Sequence, residues 1–163
     1  MPTTAQPPIE VCGIAVRARS RAAMEVLPSA SVTVQGGVES DARGRPGKRQ
    51  VTVLSRESWR LACAELGEEL PWTLRRANIL VSGIEFGPES VGKLLQFGSL
   101  TLEVTRETDP CRRMDAAHLG LQAALATDWR GGVCCRVVSG GLLETGQRGL
   151  LSSGPLQGSL LFS

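Results

Sequence analysis

The chain has 163 residues, 42% hydrophobic and 21% charged, which suits one domain with a buried core and excludes a disordered acidic or basic tail. A net charge of +2, with 3 Trp, 3 Phe and no Tyr, gives too little basic surface and too few stacking groups for a nucleic-acid binder. A single histidine and 5 cysteines lacking any Cys-x-x-Cys weigh against zinc and iron sites, and the odd cysteine count weighs against a complete disulfide framework.

The opening run Met1-Pro2-Thr3-Thr4-Ala5-Gln6-Pro7-Pro8 has neither the basic start nor the apolar core of a signal peptide. Residues 1–10 are therefore read as a disordered lead, and 11–163 as a single domain of a cytoplasmic protein with reduced thiols. No stretch approaches the ~20 apolar residues of a membrane span. Cys12 alternates with Ile14 and Val16, which predicts a strand face turned to the core. Val32 and Val34 alternate with Ser31 and Thr33, and Val51 and Val53 flank Thr52. Between them, residues 35–48 form a glycine-rich, charged loop. It reads first as a mobile connection, although its amides could cradle a phosphate.

A helix is predicted from Ser55 as N-cap to Gly67 as stop, with Glu57 in its first turn. Trp59, Ala62, Cys63 and Leu66 form one apolar stripe at i, i+3, i+4 and i+7. Ile79-Leu80-Val81 reads as a buried strand, and Leu100, Leu102 and Val104 against Thr101, Glu103 and Thr105 as a half-buried one. A second helix is predicted from Asp109 as N-cap and Pro110 as first residue to about Leu125. Val133 to Val138 reads as a strand followed by a tight hairpin turn at Gly140-Gly141, and a last strand is expected near Leu156 to Phe162. Short strands with two helices and 19 glycines imply a mainly β domain, a closed or nearly closed β-barrel with a few short helices.

Placement sorts the cysteines. Cys12, Cys63 and Cys135 are assigned to the core. Cys134 shares a face with Arg136 and is left between solvent and a cleft. Cys111, at the second position of the predicted helix and followed by Arg112 and Arg113, lies where amides and dipole favour a thiolate. The competing reading is a core cover, because Cys111, Met114, His118, Leu121 and Leu125 would share one stripe. His118 lies seven residues on, ~10.5 Å along a helix axis, too far to serve Cys111 as base. Asp115 is nearer and would either raise the thiol pKa or hold Arg112.

Six segments in order resemble the molybdenum cofactor sulfurase C-terminal (MOSC) domain family over about residues 11–150. They are Gly37-Val38-Glu39-Ser40-Asp41, Arg49-Gln50-Val51-Thr52-Val53, Arg76-Ala77-Asn78 running to Ile84, Gly98-Ser99 running to Val104, Pro110-Cys111-Arg112-Arg113-Met114-Asp115, and Trp129-Arg130-Gly131-Gly132-Val133. The sequence departs from the family's pattern at Gln147, where an Asp usually follows Gly146, and at Cys134, where an aromatic is common. The resemblance implies a β-barrel of the minimal, stand-alone type that binds molybdenum cofactor. It implies Cys111 as sulfur carrier or molybdenum thiolate ligand, and cofactor contacts at Arg49, Arg76, Asn78 and Arg112. It further implies sulfur transfer or two-electron reduction of N-hydroxylated compounds, with a cysteine desulfurase or electron-transfer protein as partner. Pyridoxal phosphate is not expected on this chain. The alternative is a non-catalytic module that shelters cofactor or sulfur for a partner enzyme.

Overall fold

The computed structural model describes residues 8–42 and 44–153; the expected lead over 1–7 and the strand expected near Leu156 to Phe162 lie outside the described residues. In chain order the strands are β1 (Ile9–Val16), β2 (Glu25–Leu27), β3 (Ser29–Thr33), β4 (Gly37–Val38), β5 (Val51–Ser55), β6 (Ile79–Ser82), β7 (Leu94–Phe97), β8 (Leu100–Glu107), β9 (Val133–Ser139), β10 (Gly141–Glu144) and β11 (Arg148–Ser152). The helices are α1 (Arg56–Leu66), α2 (Arg113–Ala117) and α3 (Leu121–Ala126). β1 starts two residues before the domain boundary drawn from sequence.

Pairing runs β11-β7-β8-β9-β5-β6-β1 and returns to β11, a closed seven-strand barrel with β2 paired antiparallel to the last residues of β1. β10, β3 and β4 form a separate small sheet. Most neighbours are antiparallel; β5 and β6 are parallel, which requires a crossover, and α1 supplies it. Closure leaves the barrel without free edges.

Alternation decides which side chains fill the barrel. Leu100, Leu102 and Val104 of β8, Val51 and Val53 of β5, Ile79 and Val81 of β6, and Val133, Cys135 and Val137 of β9 share the interior. The opposite faces of β5 and β6 send Leu54 and Leu80 outward. There they meet Trp59, Ala62 and Cys63 of α1 and Leu121 and Leu125 of α3 in a second core. α1 has the predicted ends: Ser55 Oγ accepts from the Ser58 amide at 3.1 Å, and Gly67 closes the helix at φ 68°.

The predicted second helix is broken in two. Asp109 is not its cap. Arg112 occupies that position without a side-chain hydrogen bond, and α2 ends at His118, which is extended at φ −159°. Gly120 at φ 89° then restarts the chain as α3, and the Asp115 carboxylate accepts from the Gln122 amide at 2.9 Å. Asp115 is thus spent on the first turn of α3. His118 has its Nδ1 3.0 Å from the Leu119 carbonyl and its Nε2 4.0 Å from Glu68. The stripe expected from Cys111 through Leu125 does not exist as one face.

Two further expectations are corrected. An irregularity between Val11 and Gly13 shifts the parity of β1, so Ile14 and Val16 enter the barrel while half-buried Cys12 packs against the outer core. Gly140 and Gly141 do not make a hairpin turn, since β10 pairs with β3. They allow close approach instead: a Cβ at Gly140 would stand 2.6 Å from the Val32 carbonyl oxygen, and one at Gly141 2.7 Å from the Leu100 amide nitrogen. Val34 and Gly44, beside and within the glycine-rich loop, are tied to the barrel by one side chain. Buried Gln50 donates to the carbonyls of Val34 (2.7 Å) and Gly44 (3.0 Å) and accepts from the Val137 amide (2.8 Å).

Candidate functional site

On the outer face of the barrel, where Thr52 of β5 stands opposite Cys134 of β9, a cleft of about 320 Å³ opens between the strands, the turn before β6 and the segment leading to α2. Arg17, Arg49, Arg75, Arg76 and Arg113 line it, against the carboxylates of Asp41, Glu107 and Asp109. Cys111 and Cys134 also reach it. Of the residues singled out from sequence, Arg49, Arg76, Asn78 and Cys111 come together here. Arg112 is exposed and outside the lining; Arg113 takes the cleft position.

Cys111 is exposed, one residue before the cap of α2. Its carbonyl accepts from the Met114 amide at 2.9 Å. The helix-terminus argument for this thiol therefore falls away: it sits on the segment before a five-residue helix. Among the described residues no imidazole lies at the cleft. Cys134 is buried, its Sγ 3.2 Å from Thr108 Oγ1. Cys135, alternate on the same strand, points into the barrel, where burial pushes its thiol well above the ordinary range. No cysteine of the described residues is in a disulfide.

Arg75, which sequence reasoning passed over, organises the site. A single-turn helix, Trp72–Arg75, ends with Arg76 in the left-handed region at φ 65°, and this turns the two neighbouring arginines in different directions. Arg75 runs inward and is 7% exposed. Its Nε donates to the Gly131 carbonyl at 2.9 Å and its Nη2 to the Thr108 carbonyl at 3.0 Å, while Nη1 meets Met114 Sδ at 3.9 Å. Among the described residues no carboxylate pairs with it. Burial lowers its pKa, with Cys111, Cys134 and Asp109 acting in the opposite sense. A buried guanidinium satisfied by neutral carbonyls keeps its field for an anion at the cleft. The Arg75-Arg76 doublet ahead of a strand was the available signal.

Arg76 reaches the Ala22 carbonyl with Nη2 at 2.5 Å. The Asn78 side chain is engaged within the fold: Oδ1 accepts from the Thr52 amide at 3.1 Å and from the Thr52 hydroxyl at 3.3 Å, and Nδ2 donates to the Ala15 carbonyl at 3.2 Å. It fastens β1 and β5 beneath the cleft. Glu107 has its carboxyl raised by burial and by Asp109, with Arg106 opposing. Arg106 in turn pairs with Asp109 at 3.3 Å.

Among the described residues, no three His, Cys, Asp or Glu side chains converge to hold a metal ion. No helix of the described residues is long and apolar enough to cross a membrane.

Comparison with known proteins gives the family and the fold. The MOSC domain family matches residues 31–148. No curated protein matches the chain in sequence. The fold resembles that of the YuaD protein from Bacillus subtilis, with a TM-score of 0.76 and 18% identity over 90% of this chain and 97% of that one. It also resembles YiiM from Geobacillus stearothermophilus, with a TM-score of 0.71 and 18% identity over 90% and 76%. For YiiM from Escherichia coli the TM-score is 0.67, with 14% identity over 88% and 70%.

Proposed function

Since this chain belongs to the MOSC domain family, we propose that its arginine-lined cleft binds molybdenum cofactor, with Cys111 as thiolate ligand or sulfur carrier. One observation carries the reading: the exposed thiol of Cys111 shares a cleft with Arg49, Arg76, Arg113 and a buried Arg75 that has no carboxylate partner among the described residues. The residues suit the group. A phosphate-bearing pterin is an anion that forked guanidinium groups recognise, and a metal already held by dithiolene sulfurs needs one soft donor rather than a protein cage.

When bound, the cofactor supplies a two-electron redox centre, or a metal that accepts sulfur. The chain's own contribution is binding and orientation. Arg49, Arg76 and Arg113 draw the anionic end into the cleft, and Arg75 fixes the segment bearing Cys111 from behind. Glu107, its carboxyl raised by burial and by Asp109, lines the same cleft as Cys111. On this reading the reaction is sulfur transfer or two-electron reduction of an N-hydroxylated compound, in the cytoplasm, with a cysteine desulfurase or an electron-transfer protein as partner.

The second reading, a module that shelters cofactor or sulfur without turnover, is favoured by one feature. Among the described residues no imidazole lines the cleft beside Cys111.

The ligand assignment is tested by alkylating Cys111 in protein isolated from a cofactor-competent host and from a cofactor-deficient one. Protection in the first sample and ready labelling in the second is the expected result. Equal labelling in both would remove Cys111 as ligand, and intact-mass measurement after incubation with desulfurase and cysteine would then decide whether it carries sulfur.

A further inference from the structure

The two thiols of the cleft are exposed to very different degrees. Cys111 is open to solvent on the segment before α2, whereas Cys134 is 3% exposed on β9, held against Thr108 three residues upstream of Cys111. Two side chains fasten the segment that carries Cys111 to the segment that carries Cys134. Arg75 bridges the Thr108 carbonyl to the Gly131 carbonyl, and the Thr108 hydroxyl meets Cys134 Sγ. A protein or small-molecule sulfur donor can reach Cys111, but Cys134 is shielded from anything not brought to it within the cleft.

Resting on the sulfur-carrier reading, we infer that Cys134 is a second, resolving thiol that discharges sulfur loaded on Cys111. A persulfide donor leaves Cys111 as Sγ–SH. Cys134 Sγ gives up its proton to solvent in the cleft and attacks Cys111 Sγ, a Cys111–Cys134 disulfide forms, the bond to the outer sulfur breaks, and that sulfur leaves with the electron pair as hydrosulfide. The persulfide itself is the oxidant, so atoms and electrons balance. A dithiol reductant then restores both thiols for another cycle. The leaving hydrosulfide is an anion released beside the Arg75 guanidinium, whose environment includes both cysteines. The chemistry is thus delivery of sulfide into the arginine-lined cleft rather than transfer to a large external acceptor.

The test uses the reduced full-length chain and inorganic polysulfide as donor, with intact mass, hydrosulfide release and peptide mapping as readouts. Wild type is expected to release hydrosulfide, lose the mass of two hydrogens and yield a Cys111–Cys134 linked peptide. Cys134→Ser is expected to keep one added sulfur on Cys111, with a lifetime longer by on the order of a hundredfold, since the attacking group is no longer held in place. The linked peptide is read in wild type and needs no variant to fold. If both proteins load Cys111 and hold the persulfide equally long with no linked peptide, the resolving role is overturned while the carrier reading stands. If Cys111 takes up no sulfur in either protein, both are overturned.

Discussion

The Nη2 of Arg75 donates to the Thr108 carbonyl at 3.0 Å, which fastens the end of β8 to a guanidinium buried beneath the cleft. With the Nε bond to Gly131 at 2.9 Å, this fork spans the two chain segments that deliver Cys111 and Cys134. Arg75→Lys keeps a positive charge but cannot span both carbonyls. The change is expected to lower unfolding free energy by about 1.5–3 kcal/mol, the worth of one hydrogen bond to a charged group. Urea unfolding would measure it, and unchanged stability would show that the fork is dispensable.

Gly131 lies beneath the same fork. A Cβ there would stand 2.7 Å from the Thr108 carbonyl oxygen and 3.3 Å from Arg75 Nη2. Because the nearer atom is backbone, relief requires the segment before Cys111 to move. Gly131→Ala is expected to cost about 1–3 kcal/mol through overpacking and to alter the alkylation rate of Cys111. An alanine variant as stable as wild type, with the same labelling rate, would contradict the packing argument.

Exposure sets the order in which the thiols react. Under native conditions a small alkylating reagent is expected to label Cys111 first and half-buried Cys12 next. Cys63, Cys134 and Cys135 should react only on opening or unfolding. Mass spectrometry of quenched time points gives the order directly. Early modification of Cys135, whose thiol burial also pushes up, would contradict the assigned interior of β9.

Glu107 makes stability depend on pH in a defined sense. Its folded carboxyl is raised above the unfolded value, so between the two values the folded state binds more protons and stability falls as pH rises. Below both values the group contributes no difference; above both, the folded chain carries a disfavoured charge. Glu107→Gln is therefore expected to raise Tm at neutral pH and to leave it unchanged below about pH 4, beneath the ordinary glutamate pKa. A gain as large in acid as at neutrality would refute this sign.

Much of the barrel was legible in the sequence because period-two alternation reports burial directly. Leu100, Leu102 and Val104 all enter the interior, as does Cys135 between Val133 and Val137. α1 was legible at both ends because Ser55 and Gly67 carry their own capping chemistry. The second helix was misread because Asp109-Pro110 has the residue types of a helix start, while the break depends on His118 being extended and Gly120 adopting positive φ. The tertiary packing that selects those conformations has no local signature. Cys12 was placed on the wrong face because a one-residue irregularity in β1 reverses parity. Arg75 escaped notice because only the left-handed turn at Arg76 determines which arginine of the pair runs inward. Arg112 and Arg113 show the same difficulty, since loop geometry decides which of them faces the cleft.

The account stands most directly on what the purified protein holds. Molybdenum and pterin should be quantified together in wild type from a cofactor-competent host, with Cys111→Ser prepared alongside. The prediction is molybdenum and pterin in equal amounts in wild type, approaching one per chain, and a marked loss of metal retention in Cys111→Ser. Wild-type protein carrying neither molybdenum nor pterin would contradict it.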